Sequence, residues 1–249
     1  MNRTSRPGLR SALDAVRYGR RYASARFARN YEAGKSFEGY RGGLLEALGS
    51  VTDLRGRAVA DIGTGTGQLP SRLAGTCGRV YGIDPSPEMI RLASALRAGE
   101  GNLSFAVGGA RNLPLPDATV DVAVFSWSLL SILSPHREDD WRAVLDEALS
   151  EAGRVLRPGG AVAAIETLNV DGELPPDRAW HPFRREFLRH LEDDLGFSRT
   201  LFANDWDFRT TGNLRRYGPI WFSRKTVRKL LREDRTALPE SAGVWWRRR

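Results

Sequence analysis

A glycine-rich segment that follows a short apolar run constrains this chain more than any other feature. Residues 58–62 read Ala-Val-Ala-Asp-Ile, and Gly63, Gly65 and Gly67 follow within five positions. Three glycines let a backbone turn tightly and approach a ligand that a Cβ would keep away. A helix starting near Gln68 would add free N–H groups at the same place. The segment therefore predicts a strand, a ligand-binding turn and a helix, with a nucleotide cofactor as the natural occupant.

The spacing of these glycines distinguishes between two kinds of nucleotide site. The dinucleotide fingerprint G-x-G-x-x-G would place its third glycine at position 68, but this chain has Gln68 there and its third glycine at Gly67. The spacing therefore counts against NAD. A second apolar run ends in Asp84, 17 residues after Gly67. A carboxylate at that strand end can accept both hydroxyls of a ribose.

Strand-like and helical patterns alternate from Arg57 onward. This alternation predicts a parallel sheet with right-handed crossovers. We expect an α/β fold with a doubly wound, Rossmann-like sheet of about seven strands, mostly parallel, closed by an antiparallel last strand at Gly243–Arg247. The strand-like runs are Ala58–Ile62, Val80–Ile83, Leu103–Val107, Val120–Phe125 and Ala161–Glu166, and the helical segments are Gln68–Ala74, Pro87–Arg97 and Trp141–Val155.

The segments that flank this alternation have different patterns. Residues 8–48 carry apolar positions at helical spacing, which predicts two or three N-terminal helices. After residue 166 we expect a helix over 180–195, a strand over 200–208 and a helix over Ser223–Arg232. The length suffices for one substantial core.

Four short motifs occur in a fixed order. They are Asp61-x-Gly63-x-Gly65-x-Gly67, then Ile83-Asp84-Pro85-Ser86-Pro87-Glu88-Met89, then residues 108–117 with Val120-Asp121-Val122 after them, and Arg154-Val155-Leu156-Arg157-Pro158-Gly159-Gly160. The ordered set resembles the class I S-adenosylmethionine-dependent methyltransferases, in particular the broad group related to ubiquinone and menaquinone C-methyltransferases. The resemblance covers residues 57–166. It implies S-adenosyl-L-methionine (SAM) as cofactor and S-adenosyl-L-homocysteine (SAH) as product.

The resemblance also implies roles for residues at the strand ends. The turn that contains Gly63, Thr64, Gly65 and Gly67 would surround the methionine part of the cofactor together with Asp61. Asp84 would bind the ribose, and Met89 and the backbone around Ala110 would flank the adenine. Ser126 and Trp127 would face the reactive methyl group. Gln68 and Pro85 are further cofactor-binding candidates.

Two positions depart from the pattern of the family. Gly109 stands where relatives commonly carry an acid that contacts the adenine amino group, so Arg111, the backbone or water must supply that contact. Residues 130–133 read Leu-Ser-Ile-Leu instead of Leu-His-His-Leu. A histidine base from that segment is therefore absent.

Methyl transfer is an in-line displacement in which alignment supplies much of the rate. A general base is optional and typically contributes ~10²–10⁴-fold. His136, near the end of the fourth strand, and His181, after the fifth strand, are the catalytic candidates.

By the same resemblance, the N-terminal helices and an insertion after the fifth strand fold over the methyl group. Residues 1–50 would then form a lid, and residues 51–249 the methyltransferase domain with a substrate-binding insertion at about 168–222. Tyr31 is the lid residue expected to touch the cofactor. Tyr22, Trp127 and Trp180 are candidates for contacting the substrate. A lid rich in aromatic and arginine side chains suits a planar or partly anionic small molecule.

The charge is unevenly distributed. The net charge is +8, and residues 1–29 carry eight arginines against Asp14 alone, while residues 209–249 carry twelve basic and three acidic residues. Such basic ends attract a polyanion or an acidic substrate, or serve only solubility.

No run approaches the ~18 apolar residues of a membrane span, and no signal-peptide core follows Arg10. We therefore expect no membrane association and a cytoplasmic protein. The single cysteine, Cys77, and the absence of a Cys/His cluster predict no metal site.

Several functions remain open on these observations. The first is a methyltransferase acting on O, N or C of a metabolite or natural product, as a monomer or homodimer. An RNA or DNA methyltransferase using the basic ends is disfavoured, because the chain lacks the Asn/Asp-Pro-Pro-aromatic motif, a cysteine suited to cytosine C5 chemistry and a recognisable RNA-binding module. The pattern is also compatible with a catalytically silent cofactor-binding protein and with a non-methyl use of the sulfonium.

Overall fold

A seven-stranded sheet forms the centre of the protein, in a computed structural model that describes residues 19, 22–39, 43–137, 140–171 and 181–249. The strands are β1 (Ala58–Ile62), β2 (Arg79–Asp84), β3 (Leu103–Val107), β4 (Val120–Ser126), β5 (Leu156–Val170), β6 (Ser198–Ala203), β7 (Trp206–Asp207), β8 (Ala237–Leu238) and β9 (Glu240–Arg248). The strand order is β3-β2-β1-β4-β5-β9-β6, and β9 runs antiparallel to both of its neighbours. A separate two-stranded sheet contains β7 and β8.

Helices cover both faces of the sheet. The described helices are α1 (Ala25–Lys35), α2 (Gly43–Gly49), α3 (Gln68–Leu73), α4 (Pro87–Leu96), α5 (Leu129–Leu133), α6 (Trp141–Val155), α7 (Pro182–Arg189), α8 (Thr211–Tyr217) and α9 (Arg224–Arg232). Alternate residues of each strand point to opposite faces, so Ala60 and Phe125 join one buried cluster with α6, while Val59 and Val124 join another with α2 and α3. None of the described helices is long and apolar enough to cross a membrane.

The strand order determines where a ligand can bind. From the centre of the sheet, the chain builds β2 and β3 on one side of β1, and β4 and β5 on the other. The loops at the carboxyl ends of β1 and β4 therefore diverge, which leaves a crevice at the point where open α/β sheets bind their ligands. The fold confirms the predicted doubly wound, mostly parallel sheet.

Several sequence-based expectations need correction after β5. The last strand is antiparallel as predicted, but it lies between β5 and β6 and not at the edge of the sheet. The strand expected over 200–208 is interrupted at Asn204-Asp205, so that its two parts, β6 and β7, belong to different sheets. The helix expected over 180–195 begins at Pro182 and continues as a π-helical turn over His190–Asp194.

The segment between β6 and β9 builds a small core of its own. Its buried apolar side chains are Trp206, Phe208, Leu214, Val227, Leu230 and Leu238. Helix α1 contacts α8, and the α1 residue Gly34 is so close to Trp221 that an added Cβ would lie 2.3 Å from the ring. The N-terminal helix and this small core therefore pack together.

Candidate active site

The glycine-rich turn after β1 combines close packing with an open backbone. The Gly63 N–H donates to the Ile83 carbonyl at 2.7 Å. Gly63 has a φ of +82°, and a Cβ there would lie 2.3 Å from Ser128 Cβ. Gly65 has a φ of +56°, and a Cβ there would meet only the Tyr31 ring, at 3.5 Å from Cε1. Packing therefore requires the first glycine, whereas Gly65 leaves the backbone open toward the space below Tyr31.

Asp61, at the end of β1, is fully buried beside this turn. Its carboxylate accepts hydrogen bonds from the Thr64 hydroxyl, at 2.7 Å, and from the Ser126 hydroxyl. Burial raises the pKa of Asp61 to about 6, and nearby Asp84 raises it too, while the two hydroxyls and Lys35 oppose the shift. The side chain thus links the ends of β1 and β4 and concentrates negative charge between them.

Asp84, at the end of β2, is oriented by the backbone. Its Oδ2 accepts from the Gly65 N–H at 2.9 Å and its Oδ1 from the Ser86 N–H at 2.8 Å. Burial raises the pKa of the carboxyl. The Ser86 hydroxyl caps α4 by accepting from the Met89 N–H and donates to the Tyr22 carbonyl at 2.7 Å. Since each carboxylate oxygen can accept more than one hydrogen bond, Asp84 keeps acceptor capacity for ligand hydroxyls.

The segment expected to flank the adenine lies beyond β3. Ala110 is half-buried and packs against the main core. Arg111 is exposed, and its guanidinium donates to Glu147 at 2.8 Å. A Cβ on Gly109 would have open space around it. The remaining cofactor candidates are Gly67 at the N-terminal cap of α3, the half-buried Gln68, the exposed Pro85 and the fully buried Met89.

Helix α1 brings Tyr31 over the crevice. The ring lies against Gly65 and 5.4 Å, between centroids, from the ring of Trp221 in the small core. Desolvation of the Tyr31 hydroxyl, together with Glu38 and Asp84, raises its pKa. Tyr22 precedes the helix, and its ring centroid lies 6.5 Å from that of Tyr31. The structure therefore brings both lid candidates to the strand ends.

Trp127 follows β4 in a backbone conformation that is rare for a large side chain. Its φ is +52°, and its N–H donates to the Ile165 carbonyl of β5 at 2.9 Å. The indole N–H donates to the Thr167 hydroxyl at 3.1 Å. Such conformations persist where the surroundings hold them, and they are frequent at functional sites. The indole is thereby held at the wall of a cavity.

This cavity, of about 640 Å³, lies between the ends of β4 and β5, α1, α7 and the small core. It is lined by aromatic and ionisable side chains. The predicted residues that border it are Tyr22, Tyr31, Trp127 and His181. Other lining residues include Lys35, Glu38, Phe183, Arg184, Phe222, Glu166 and Glu240. Its volume lies within the range of small-molecule sites.

The two histidine candidates occupy different places. His181 immediately precedes α7 and borders the cavity, where partial desolvation and the charges of Arg184 and Arg137 lower its pKa. His136 lies in the 3₁₀ turn Ser134–His136 and does not line the cavity among the described residues. Trp180 lies outside the described residues.

A buried ionic cluster borders the cavity, and no pattern in the sequence predicted it. The Lys35 ammonium pairs with Glu38 and lies 5.1 Å from the centroid of the Trp127 ring. The Glu240 carboxylate accepts from the Thr167 hydroxyl and the Trp206 indole. Burial raises the pKa of Glu240 to about 7, with Glu38 adding to the shift. The cluster connects the end of α1 to β5 and β9.

The sequence contained a signal for one further acid. Glu166 follows an apolar run in β5, as Asp61 and Asp84 follow apolar residues in β1 and β2, and it comes one residue after Ile165, which pairs with the last residue of β4. It is 2% exposed and borders the cavity. The rule that located the two aspartates would have located it too. Lys35 and Glu38 offer no such pattern, because helical spacing does not distinguish a solvent-facing charge from a buried one.

The crevice fits a cationic nucleoside. Gly65 provides a backbone surface that a Cβ would fill, and the two aspartates place acceptors beside it. The buried Thr66 hydroxyl has no hydrogen-bond partner among the described residues. A sulfonium nucleoside with ribose hydroxyls and an amino group supplies positive charge and donors for such an arrangement.

Comparison with known proteins agrees with this geometry. The family described as "Methyltransferase domain" matches residues 60–164. The ubiquinone/menaquinone biosynthesis C-methyltransferase UbiE of Rubrivivax gelatinosus is 33% identical over 167 residues, covering 59% of this chain and 62% of that enzyme, less than two thirds of its length. The enzyme of the same name from Marinomonas sp. (strain MWYL1) is 31% identical over 185 residues, covering 60% and 69%.

A solved structure shows the same fold. Phosphoethanolamine N-methyltransferase 2 of Haemonchus contortus, in complex with phosphomonomethylethanolamine and SAH, superposes with a TM-score of 0.55 at 18% identity, covering 95% of this chain and 59% of that one. With the family match and the Marinomonas relative, these findings identify the chain as a member of the class I SAM-dependent methyltransferases, in the group related to the ubiquinone/menaquinone C-methyltransferases.

Proposed function

We propose that this protein transfers the methyl group of SAM to a small, planar acceptor, a metabolite or natural product. The observation that carries the proposal is the cavity beside Trp127. It is enclosed by aromatic walls, contains ionisable groups and adjoins the crevice that suits the cofactor of the family. A cavity of about 640 Å³ matches a small molecule better than a polymer segment.

In this proposal the cofactor lies across the ends of β1, β2 and β4. Asp84 accepts the ribose hydroxyls, and Gly63 and Gly65 allow the methionine part to approach the backbone. Asp61 holds the end of β4 through Ser126 and balances positive charge. The backbone at Ala110 flanks the adenine, and the fully buried Met89 contacts it only if the packing around that side chain opens. Arg111, which pairs with Glu147, contacts the adenine only after it leaves that partner.

The chain's own contribution to catalysis is alignment. SAM supplies an activated methyl group, and a correctly placed acceptor needs little further help, since positioning accounts for much of the rate of such displacements. The rings of Trp127 and Tyr31 position the planar acceptor, and α1 together with the small core excludes water from the cavity. His181 lies at the cavity wall and contacts the acceptor there. His136 does not take part.

The nucleic-acid alternative is weakened by the way the C-terminal arginines are used. Arg247, Arg248 and Arg249 donate to the carbonyls of Leu195, Val51 and Leu156. These three cations therefore each use part of their guanidinium to anchor the C-terminal strand to neighbouring segments. Salt-sensitive binding of RNA or DNA would favour this alternative.

Calorimetry of SAM binding is the first test, with Asp84→Ala as the variant and the exposed Asp53→Ala as the matched control. We expect Asp84→Ala to weaken binding and Asp53→Ala to leave it unchanged. Equal affinity in all three proteins would contradict the ribose assignment.

A screen of metabolites for methyl acceptors, with SAH release as readout, tests the activity. Release that depends on a small acceptor supports the proposal. SAM binding without release on any acceptor would point instead to a cofactor-binding protein without catalysis, and a product without a new methyl group would point to another use of the sulfonium.

A further inference from the structure

Glu166 has an unusual position for a carboxylate. It lies inside β5, directly after Ile165, which pairs with Ser126 at the end of β4 and whose carbonyl accepts the Trp127 N–H. This places it beside the loop after β4, where the acceptor must meet the methyl group. The side chain is 2% exposed and borders the cavity.

Only one of the two carboxylate oxygens of Glu166 accepts a hydrogen bond from the described residues. Its Oε1 accepts from the Leu130 N–H at 3.1 Å, which orients the group. Among the described residues, Oε2 accepts no hydrogen bond, and it is not one of the fully buried atoms that lack a partner, so this oxygen is open to the cavity that Glu166 borders. A donor from a bound molecule in the cavity would complete the group.

Glu240 provides the contrast within the same cavity. Both of its oxygens are engaged by protein donors, Oε1 by Thr167 and Oε2 by Trp206 and Asn204. Hydrogen bonds within the protein therefore account for the burial of both oxygens of Glu240, whereas they engage only one oxygen of Glu166.

Ionisable groups around Glu166 bear on its proton affinity. Burial raises the pKa of Glu166 to about 7, and the charge of Glu240 adds to the shift. Arg184 and the Leu130 N–H oppose it. Lys35, Glu38, His181 and Arg137 also line the cavity. A group that titrates near neutral pH both accepts and releases a proton readily.

We propose that Glu166 is the general base of this enzyme and accepts the proton of a hydroxyl group on a planar aromatic or enolic acceptor. The inference rests on the proposed methyl transfer and deepens it. Aromatic walls formed by Trp127, Phe183 and Phe222 enclose the flat framework, and the hydroxyl donates to Oε2.

The step balances without any further reactant. The hydroxyl proton moves to Oε2 of Glu166, and the O–H bond pair stays with the acceptor. The acceptor forms its new bond to the methyl carbon, and the pair of the broken S–CH₃ bond remains on sulfur, which gives neutral SAH. Glu166 then releases the proton to water.

Glu166 is better placed for this role than His181. His181 is exposed and precedes α7, whereas Glu166 is buried in β5 next to Ile165, which binds the Trp127 N–H. A hydrogen bond between the acceptor and a buried base is stronger than one to an exposed base, because water does not compete for the buried group.

The decisive experiment compares wild type, Glu166→Gln, Glu166→Asp and the exposed control Glu46→Gln. The pH dependence of kcat is measured by SAH release with an acceptor from the screen. We expect Glu166→Gln to lower kcat by ~10²–10⁴-fold and to remove the rise in rate with pH. Glu166→Asp should restore part of the rate, and SAM affinity should be the same in all four proteins.

A second readout does not depend on activity. Infrared titration of the protein without SAM should reveal protonated carboxyls that ionise near neutral pH, Glu166 and Glu240 among them, and this signal should be smaller by one carboxyl in Glu166→Gln but unchanged in Glu46→Gln. The proposal is overturned if Glu166→Gln keeps the wild-type pH profile, if His181→Ala alone removes that profile, or if the carboxyl signal of Glu166→Gln is as large as that of wild type. Absence of SAH release from wild type with every acceptor would instead refute the proposed function.

Discussion

The glycine-rich turn allows a quantitative prediction, because its glycines differ in what a methyl group would meet. We consider Gly63→Ala and Gly65→Ala, with Gly159→Ala as control. Gly159 has a φ of +76°, and a Cβ there would have open space. The control therefore measures the cost of holding alanine in a left-handed conformation, which is about 1–2 kcal/mol.

Gly65→Ala should lower stability by the same amount, since its Cβ would lie at ordinary contact distance from Tyr31. For a chain of this size that corresponds to a decrease in Tm of roughly 2–8 °C. In Gly63→Ala the Cβ would lie 2.3 Å from Ser128 Cβ, and relieving such overpacking typically costs about 1–3 kcal/mol more. We expect its Tm to fall by roughly 4–20 °C.

Ligand binding should separate Gly65 from the control. A Cβ at 65 projects into the space assigned to the cofactor, and a steric cost of about 1–3 kcal/mol corresponds to a ~5–150-fold weaker Kd for SAM. Gly159→Ala should bind SAM like wild type. Thermal unfolding and calorimetry on the three variants measure both effects.

Two results would refute this reasoning. If Gly65→Ala binds SAM as tightly as wild type, the backbone at 65 does not face the cofactor. If Gly63→Ala is no less stable than Gly159→Ala, the contact with Ser128 does not require a glycine.

Three further predictions concern the cavity and the surface beyond it. Lys35→Met should lower the free energy of unfolding by about 3–5 kcal/mol, because it leaves the Glu38 carboxylate buried without its cation. In denaturant unfolding, the double variant Lys35→Met with Glu38→Gln should recover most of this loss. An equal loss of stability in the double variant would contradict the explanation. Glu240, with a pKa raised from 4.5 to about 7, binds its proton more tightly in the folded state, so its contribution to stability is fully present below pH 4.5 and is lost as the pH rises through 7. Glu240→Gln should therefore flatten the decline in stability over that window, and an unchanged slope would argue against a buried protonated carboxyl. Arg224→Ala and Arg228→Ala, on the exposed side of α9, should leave SAH release with a small acceptor unchanged, whereas a loss of turnover restored by low salt would favour an anionic polymer as substrate.

The parts of the site that could be predicted are those defined by local pattern. Asp61 and Asp84 each end an apolar run of strand length, and the carboxyl ends of parallel strands share one edge of the sheet. Their position beside the Gly63–Gly67 turn therefore followed from the order of elements alone. Glu166 also follows an apolar run, and although β5 continues beyond it to Val170, it lies level with the end of β4, so its place at this edge of the parallel strands was equally predictable.

Other features depended on contacts between distant segments. Lys35 pairs with Glu38 near its own position, but its burial comes from Trp127 and Trp206, which are remote in sequence. The position of β9 between β5 and β6 likewise reflects pairing across the chain. The apolar run Val244-Trp245-Trp246 in β9 is compatible with an edge strand and with an inner strand, so the sequence pattern could not choose between them.

The sequence by itself determined the doubly wound sheet, the glycine-rich turn and the two aspartates beside it, because strand period, glycine spacing and strand-end acids are local properties. Only the tertiary structure decided which histidine reaches the cavity, where Lys35 and Glu240 lie, and that Glu166 has one oxygen without a partner among the described residues. These depend on which side chains lose their water when separate segments pack together. The proton affinity of an ionisable group at this site is set by desolvation and by the neighbouring charges and hydrogen bonds, and folding supplies both.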